Sequence, residues 1–157
     1  MVHNFSPKPG SNPDFRVYFY TMTLRQKQSL FAFNIHKLIE FAYKNGFELT
    51  FGESTRTPSQ IILNFFGYDV VQRSDGPTLV KRPRTSKTLE SRHGVRLAVD
   101  FNIFIGDRLT NSPKEIKPLG DFWESLHTDN VWGGDWDRDD NLDEETFTDP
   151  YHFEMKP

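Results

Sequence analysis

A chain of 157 residues with 26% charged and 36% hydrophobic side chains has apolar matter for one packed domain and is too apolar to stay disordered. A formal charge of −3 argues against a nucleic-acid binder, which would carry a basic face. With no cysteine, disulfides and thiolate metal sites are excluded, so any zinc must be held by imidazole and carboxylate.

Residues 1 to about 16 are rich in Pro, Asn, Ser and Gly, lack periodicity, and read as a disordered leader. Met22 stands just before the first helix signal and is a candidate start, which sets the expected leader at 1–22 and the domain at 23–157. The opening MVHNFSPKPG has no cationic start followed by an apolar run, so synthesis in the cytoplasm without a secretory signal is expected. No stretch approaches the length that crosses a bilayer, and no membrane insertion is expected.

The first helix is predicted over Leu24–Lys44, with Thr23 and Gln26 as a capping box and Asn45-Gly46 as the stop. Leu30, Phe31, Ile35, Leu38, Ile39 and Ala42 fall at helical spacing on one stripe. His36 in the same helix has no partner of matching spacing and reads as structural. Phe47–Phe51 alternates as a strand, and Thr57 with Pro58 opens a short helix to about Phe66. Residues 67–90, with Gly, Pro and charge, read as one long loop. The basic cluster inside it, Lys81, Arg82, Arg84 and Lys87, is broken by Pro83 and reads as solvated.

From Val95 to Phe104 the chain keeps a strict period of two. Val95, Leu97, Val99, Phe101 and Ile103 share one face, while Arg96, Ala98, Asp100 and Asn102 share the other. A third helix is predicted over about Leu119–Leu126, and His127 beside its end reads as a dipole partner. The chain ends on a second alternating run, Tyr151–Met155, with His152 and Glu154 opposite the apolar residues. If the two late strands pair, Asp100 and His152 meet on one polar face. The fold class expected is therefore α+β, a small antiparallel sheet whose polar face carries the site, backed by two or three helices.

A catalytic zinc takes three imidazole or carboxylate ligands and keeps one position open for water, whose pKa it lowers toward about 7. It also needs a carboxylate to take the water's proton and a cation to hold the developing oxyanion. His93, Asp100, His152, Asp149 and Arg56 offer these groups. Ser91–Asp100 resembles the S-x-H-x(4)-A-x-D signature of the M15 metallopeptidases, a family of D-Ala-D-Ala dipeptidases, carboxypeptidases and phage-endolysin L-alanyl-D-glutamate endopeptidases. Asp149-Pro150-Tyr151-His152-Phe153 resembles the family's second element, Ser54–Gln60 its arginine turn, and Trp132–Trp136 its G-x-D-W segment. The likeness runs from about residue 24 to 155.

The resemblance implies a D-Ala-D-Ala peptidase/hedgehog-like fold and one zinc per chain held by His93, Asp100 and His152. It makes Asp149 the general base, Arg56 the group that polarises the scissile carbonyl, and Ser91 and Gln60 substrate contacts. It implies hydrolysis of a peptidoglycan stem peptide by a monomer of the phage endolysin type, released to the wall through a pore. The alternatives are a D-Ala-D-Ala carboxypeptidase or dipeptidase with the same ligands, a non-catalytic zinc-binding module, and a structural domain that binds nothing. Many relatives carry Glu at the position of Asp149, and Pro150 restricts the backbone there, so Glu154 stands as the substitute base. Ser91 has the alternative of capping a turn, and Arg56 that of a surface ion pair. The alternation of Asp135, Asp137, Asp139, Asn141 and Asp143 leaves two readings of the 135–145 loop, a solvated acidic loop or a regulatory calcium site. Asp140 replaces the glycine of a calcium loop and Thr146 its last glutamate.

Overall fold

The computed structural model describes residues 22–144 and 147–157. The leader expected over 1–22 lies, apart from Met22, outside the described residues. Helix α1 spans Leu24–Lys44. Its capping box is complete, with Thr23 Oγ1 accepting from the Gln26 amide at 3.4 Å and Gln26 Oε1 from the Thr23 amide at 2.9 Å. The helix ends where Gly46 takes φ +82°, a left-handed geometry that costs glycine little. Phe31, Leu38 and Ala42 face inward from it, and His36 is exposed.

Strand β1 (Phe47–Phe51) follows, then α2 (Pro58–Phe66), capped by the Thr57 hydroxyl on the Gln60 amide. The long loop expected over 67–90 is partly wrong. Tyr68–Arg73 and Gly76–Lys81 form an antiparallel hairpin, β2 and β3, around Ser74-Asp75. Both faces of this ribbon are largely in solvent, as the exposure of Val70, Val71 and Leu79 shows, so no inward–outward alternation marks it in the sequence.

Strand β4 (Ala98–Ile105) is the central element. It starts later than the alternation suggests, because Arg92–Val95 coil into a 3₁₀ turn and Arg96 reverses the chain at φ +56°. Leu97, Val99, Phe101 and Ile103 are buried as expected, and Ala98 is buried with them. β1 pairs with one edge of β4 along Phe101–Ile105. The other edge takes β7 (His152–Met155) at its start and β5 (Arg108–Thr110) at its end, and β6 (Asn130–Trp132) completes the sheet beyond β7. Every pairing is antiparallel.

Helix α3 runs from Pro113 to Leu126, longer than expected. Ser112 caps it on the Glu115 amide and Pro113 fills its first position, while Pro118, which cuts the pattern in the sequence, is carried inside. α1 and α3 pack together through the stacked rings of Phe41 and Phe122, 4.0 Å apart, and the edge contact of Phe31 with Trp123. The result is the α+β class expected, with three α-helices and small antiparallel sheets among the described residues.

Trp123 fastens the helical layer to the sheet. Fully buried, it donates from Nε1 to the carbonyls of both Val131 and Glu154 at 3.1 Å. Trp123→Ala is expected to cost about 3–5 kcal/mol, through a cavity and two carbonyls left without their donor, read as a lower urea midpoint.

Candidate metal centre

Three chain segments converge at the start of β4. His93 sits in the 3₁₀ turn, whose Gly94 amide bonds the Ser91 carbonyl at 3.0 Å. Ser91 precedes this turn but makes no side-chain cap there. Asp100 is stitched in place from the neighbouring strand end: its amide donates to the Glu53 carbonyl and its carbonyl accepts from the Gly52 amide, both at 2.8 Å. His152 lies opposite Asp100 in the β4–β7 register.

The three donors form a small triangle. His152 Nδ1 is 2.9 Å from Asp100 Oδ1 and 3.2 Å from His93 Nε2, and His93 Nε2 is 3.4 Å from Asp100 Oδ1. Ligands about 2.0–2.1 Å from a tetrahedral ion stand roughly 3.3 Å from one another, so the triangle has the size of a zinc site. The donor chemistry fits as well: two imidazoles face each other across 3.2 Å, a separation at which two lone pairs need a proton or a cation between them. Among the described residues, these form a possible His/Asp/His metal site.

The electrostatics agree with a site built for positive charge. Burial raises the Asp100 pKa, but hydrogen bonds to His152 and His93 outweigh it and hold the carboxyl well below the usual range. Burial pushes the His152 imidazole down, yet its bonds to Asp100 and Glu154 outweigh that and carry it up to about 9. Burial raises the Asp149 carboxyl.

The sites expected from sequence fall on one cavity of about 750 Å³, within the usual range for ligand pockets, with two qualifications. Arg56, Ser91, His93, Asp100, Asp149 and His152 all line it. Gln60 is the exception: its amide donates to Asn64 Oδ1 at 2.7 Å within α2, and it is not part of the cavity wall. Glu154 lines the cavity too, but its Oε2 meets His152 Nε2 at 3.0 Å, which ties it to a ligand. The 84–92 segment is also more than a solvated loop, since Arg84 and Lys87 stand on the cavity wall.

Sequence reasoning gave no role to two groups. Glu53 accepts from Arg56 Nε at 3.0 Å through both oxygens and also meets Nη2, which raises the Arg56 pKa and fixes the guanidinium beside Ser91 Oγ at 3.3 Å. Its only signal was a position three residues before the arginine. Trp136 tilts over the His152 ring, centroids 5.5 Å apart, and stacks on Phe147, which Lys87 Nζ covers at 4.4 Å. His127 ends α3, and its Nδ1 accepts from the Asp129 amide at 3.0 Å.

In the acidic loop, Asp135, Asp137 and Asp139 bring oxygens within 4.8 Å of one another. The Asp135 oxygens accept from the amides of Arg138 and Asp140, while Asp140 and Asp143 pair with Lys117 and Lys114 at 2.7 Å. Of the span expected to hold calcium, residue 145 lies outside the described residues.

Residues 84–155 match the family described as D-alanyl-D-alanine carboxypeptidase, of peptidase family M15. No curated protein matches the chain. Four solved chains do. One is the crystal structure of the Serratia marcescens L-Ala D-Glu endopeptidase ChiX, similar with a TM-score of 0.56 at 17% identity over 85% of this chain and 83% of that one. The family match thus covers the segment from Arg84 to Met155, and the structural likeness shows a shared fold.

The raised His152 pKa fixes the sign of a pH effect on the metal-free fold. A group whose folded pKa exceeds its ordinary 6.5 stabilises fully below 6.5 and loses that contribution as pH rises through about 9. Buried Asp149 has the same sign, but its raised carboxyl begins to lose its contribution already above the ordinary 3.8. In excess chelator the stability is expected to fall between pH 6.5 and 9, on the order of 3 kcal/mol at most. Urea midpoints across that range check it.

Proposed function

We propose that this protein is a zinc peptidase of the M15 type that hydrolyses an amide bond in peptidoglycan stem peptides, an L-Ala-D-Glu endopeptidase of the phage endolysin type. The observation that carries the reading is the donor triangle of His93, Asp100 and His152, open on a cavity that also presents Asp149 and Arg56. The match to a neighbour titled L-Ala D-Glu endopeptidase supports the choice of bond.

In this reading His93 Nε2, Asp100 Oδ1 and His152 Nδ1 hold the ion. Zinc bound there supplies a Lewis acid and makes water acidic enough to act as a nucleophile at neutral pH. Asp149, with its carboxyl raised by burial, takes the proton from the attacking water. As the water oxygen bonds to the carbonyl carbon, charge collects on the carbonyl oxygen, and Arg56, held by Glu53, neutralises it. The C–N bond then breaks, and Asp149 returns its proton to the leaving amine. Ser91, which accepts from Arg56, is placed to touch the substrate backbone next to it.

The family description favours one second reading, a D,D-carboxypeptidase using the same residues at a stem-peptide end. Mass spectrometry of digested sacculi separates the two. New amino-terminal D-Glu is expected on the first reading, and released D-Ala with no new amino terminus would replace it by the second.

Asp149→Ala should leave the zinc content near one per chain and lower turnover by at least about a hundredfold. Metal analysis beside the sacculus assay checks both halves. Turnover retained in the variant would remove Asp149 as the base, and purified chain without zinc would remove the enzyme.

A further inference from the structure

Glu154 follows His152 by two residues on β7, so the strand's alternation puts both side chains on the same face. Its side chain is 15% exposed, and Oε2 lies 3.0 Å from His152 Nε2. Its other oxygen faces Arg92 Nε at 4.0 Å, from the turn that also carries His93. On the far side of the imidazole, Nδ1 faces Asp100 and His93 at 2.9 and 3.2 Å.

A neutral imidazole has one hydrogen and one lone pair, on different nitrogens. A carboxylate accepting from Nε2–H draws the hydrogen to that nitrogen and leaves the lone pair on Nδ1, the atom inside the donor triangle. His93 has no such support: its Nδ1 is buried without a hydrogen-bond partner among the described residues. The two histidines are therefore fixed unequally. The outer nitrogen of one is met by a carboxylate that is itself faced by an arginine, while the outer nitrogen of the other meets no such group.

We infer that Glu154 is the positioning residue of the metal centre, selecting the Nδ1-ligating tautomer of His152 and holding its ring against Asp100. This rests on the metal-centre reading of the proposed function and removes Glu154 as substitute base, because the carboxylate is committed to a ligand's outer nitrogen. A carboxylate in that place raises the basicity of the ligating nitrogen, and losing such partners costs 10–100-fold in metal affinity in metalloenzymes generally.

The test uses the full chain, with zinc affinity measured by competition with a chelator and the His152 tautomer read by ¹⁵N NMR on the zinc-loaded protein. Glu154→Ala is expected to bind zinc about 10–100-fold more weakly and, at saturating zinc, to regain turnover within about tenfold of the parent. Glu154→Gln, which keeps an acceptor without the charge, should lie between the two and retain the hydrogen on Nε2. Parental zinc affinity in Glu154→Ala, or a parental His152 with its hydrogen on Nδ1, overturns the inference. Turnover that stays abolished in Glu154→Ala at saturating zinc overturns it as well, in favour of a base. Should Glu154→Ala fail to fold, the parental tautomer and Glu154→Gln decide. A parent chain that takes up no zinc sinks the metal-centre reading instead, which keeps the two failures apart.

Discussion

The pairing of β4 with β7 is the constraint on which the rest of this molecule depends. Residues directly opposite in an antiparallel pair bring their Cβ atoms about 4.5–5.5 Å apart, close enough for an aspartate and a histidine to share one small object. Asp100 and His152 hold such a position although 52 residues separate them. A slip by one residue would turn His152 toward the apolar side and bring Phe153 out to replace it. Several anchors oppose that slip: Phe153 and Met155 are fully buried, Trp123 bonds the Glu154 carbonyl, and the Met155 amide bonds the Leu97 carbonyl at 2.8 Å. The core thus sets the site's geometry by fixing which face of a four-residue strand looks outward.

That geometry gathers more charge than the fold alone needs. Asp100, Asp149 and Glu154 crowd one cavity with two imidazoles, and Arg56 is paired with Glu53 just beside them. Buried ionic groups of this kind are weak contributors to stability, because desolvation offsets most of their attraction. Their concentration makes sense as preorganisation. The donors are held by backbone bonds from the Gly52–Glu53 strand end, the Ser91 turn and the β6–β7 pair.

Much of this was legible in the sequence because its signals were local or periodic. The capping box of α1, the Thr57-Pro58 start of α2 and the alternation through Asp100 each rest on a few adjacent residues, and each appears with its expected partners. What escaped notice depends on tertiary context. The β2–β3 hairpin buries neither face, so it carries no binary pattern. The first turns of α3 hid behind Pro118, and β6 is too short to show a period. Glu53 and Trp136 belong to the site through contacts made only after folding. Gln60 was placed in the site by the resemblance of Ser54–Gln60 to an arginine turn, but the helix turns it toward Asn64.

Asp149 shows how a residue with an awkward neighbour can still be held firmly. An aspartate has a short side chain, and the following proline withholds an amide and limits the backbone before it. The strand that precedes it in the sheet compensates. The Asp149 amide donates to the Gly133 carbonyl at 2.7 Å, the Gly133 amide to the His152 carbonyl at 2.9 Å, and Trp132 Nε1 to the Pro150 carbonyl at 2.9 Å. This close approach requires glycine, since a Cβ on Gly133 would stand 2.5 Å from the Asp149 carbonyl oxygen and 3.0 Å from the His152 Cβ. The W-G-G-D-W segment therefore serves the site twice. Its first tryptophan and glycine hold the Asp149–His152 turn against the sheet, and its last tryptophan covers the His152 ring. The backbone, brought near by a missing side chain, fixes the turn that carries both Asp149 and His152.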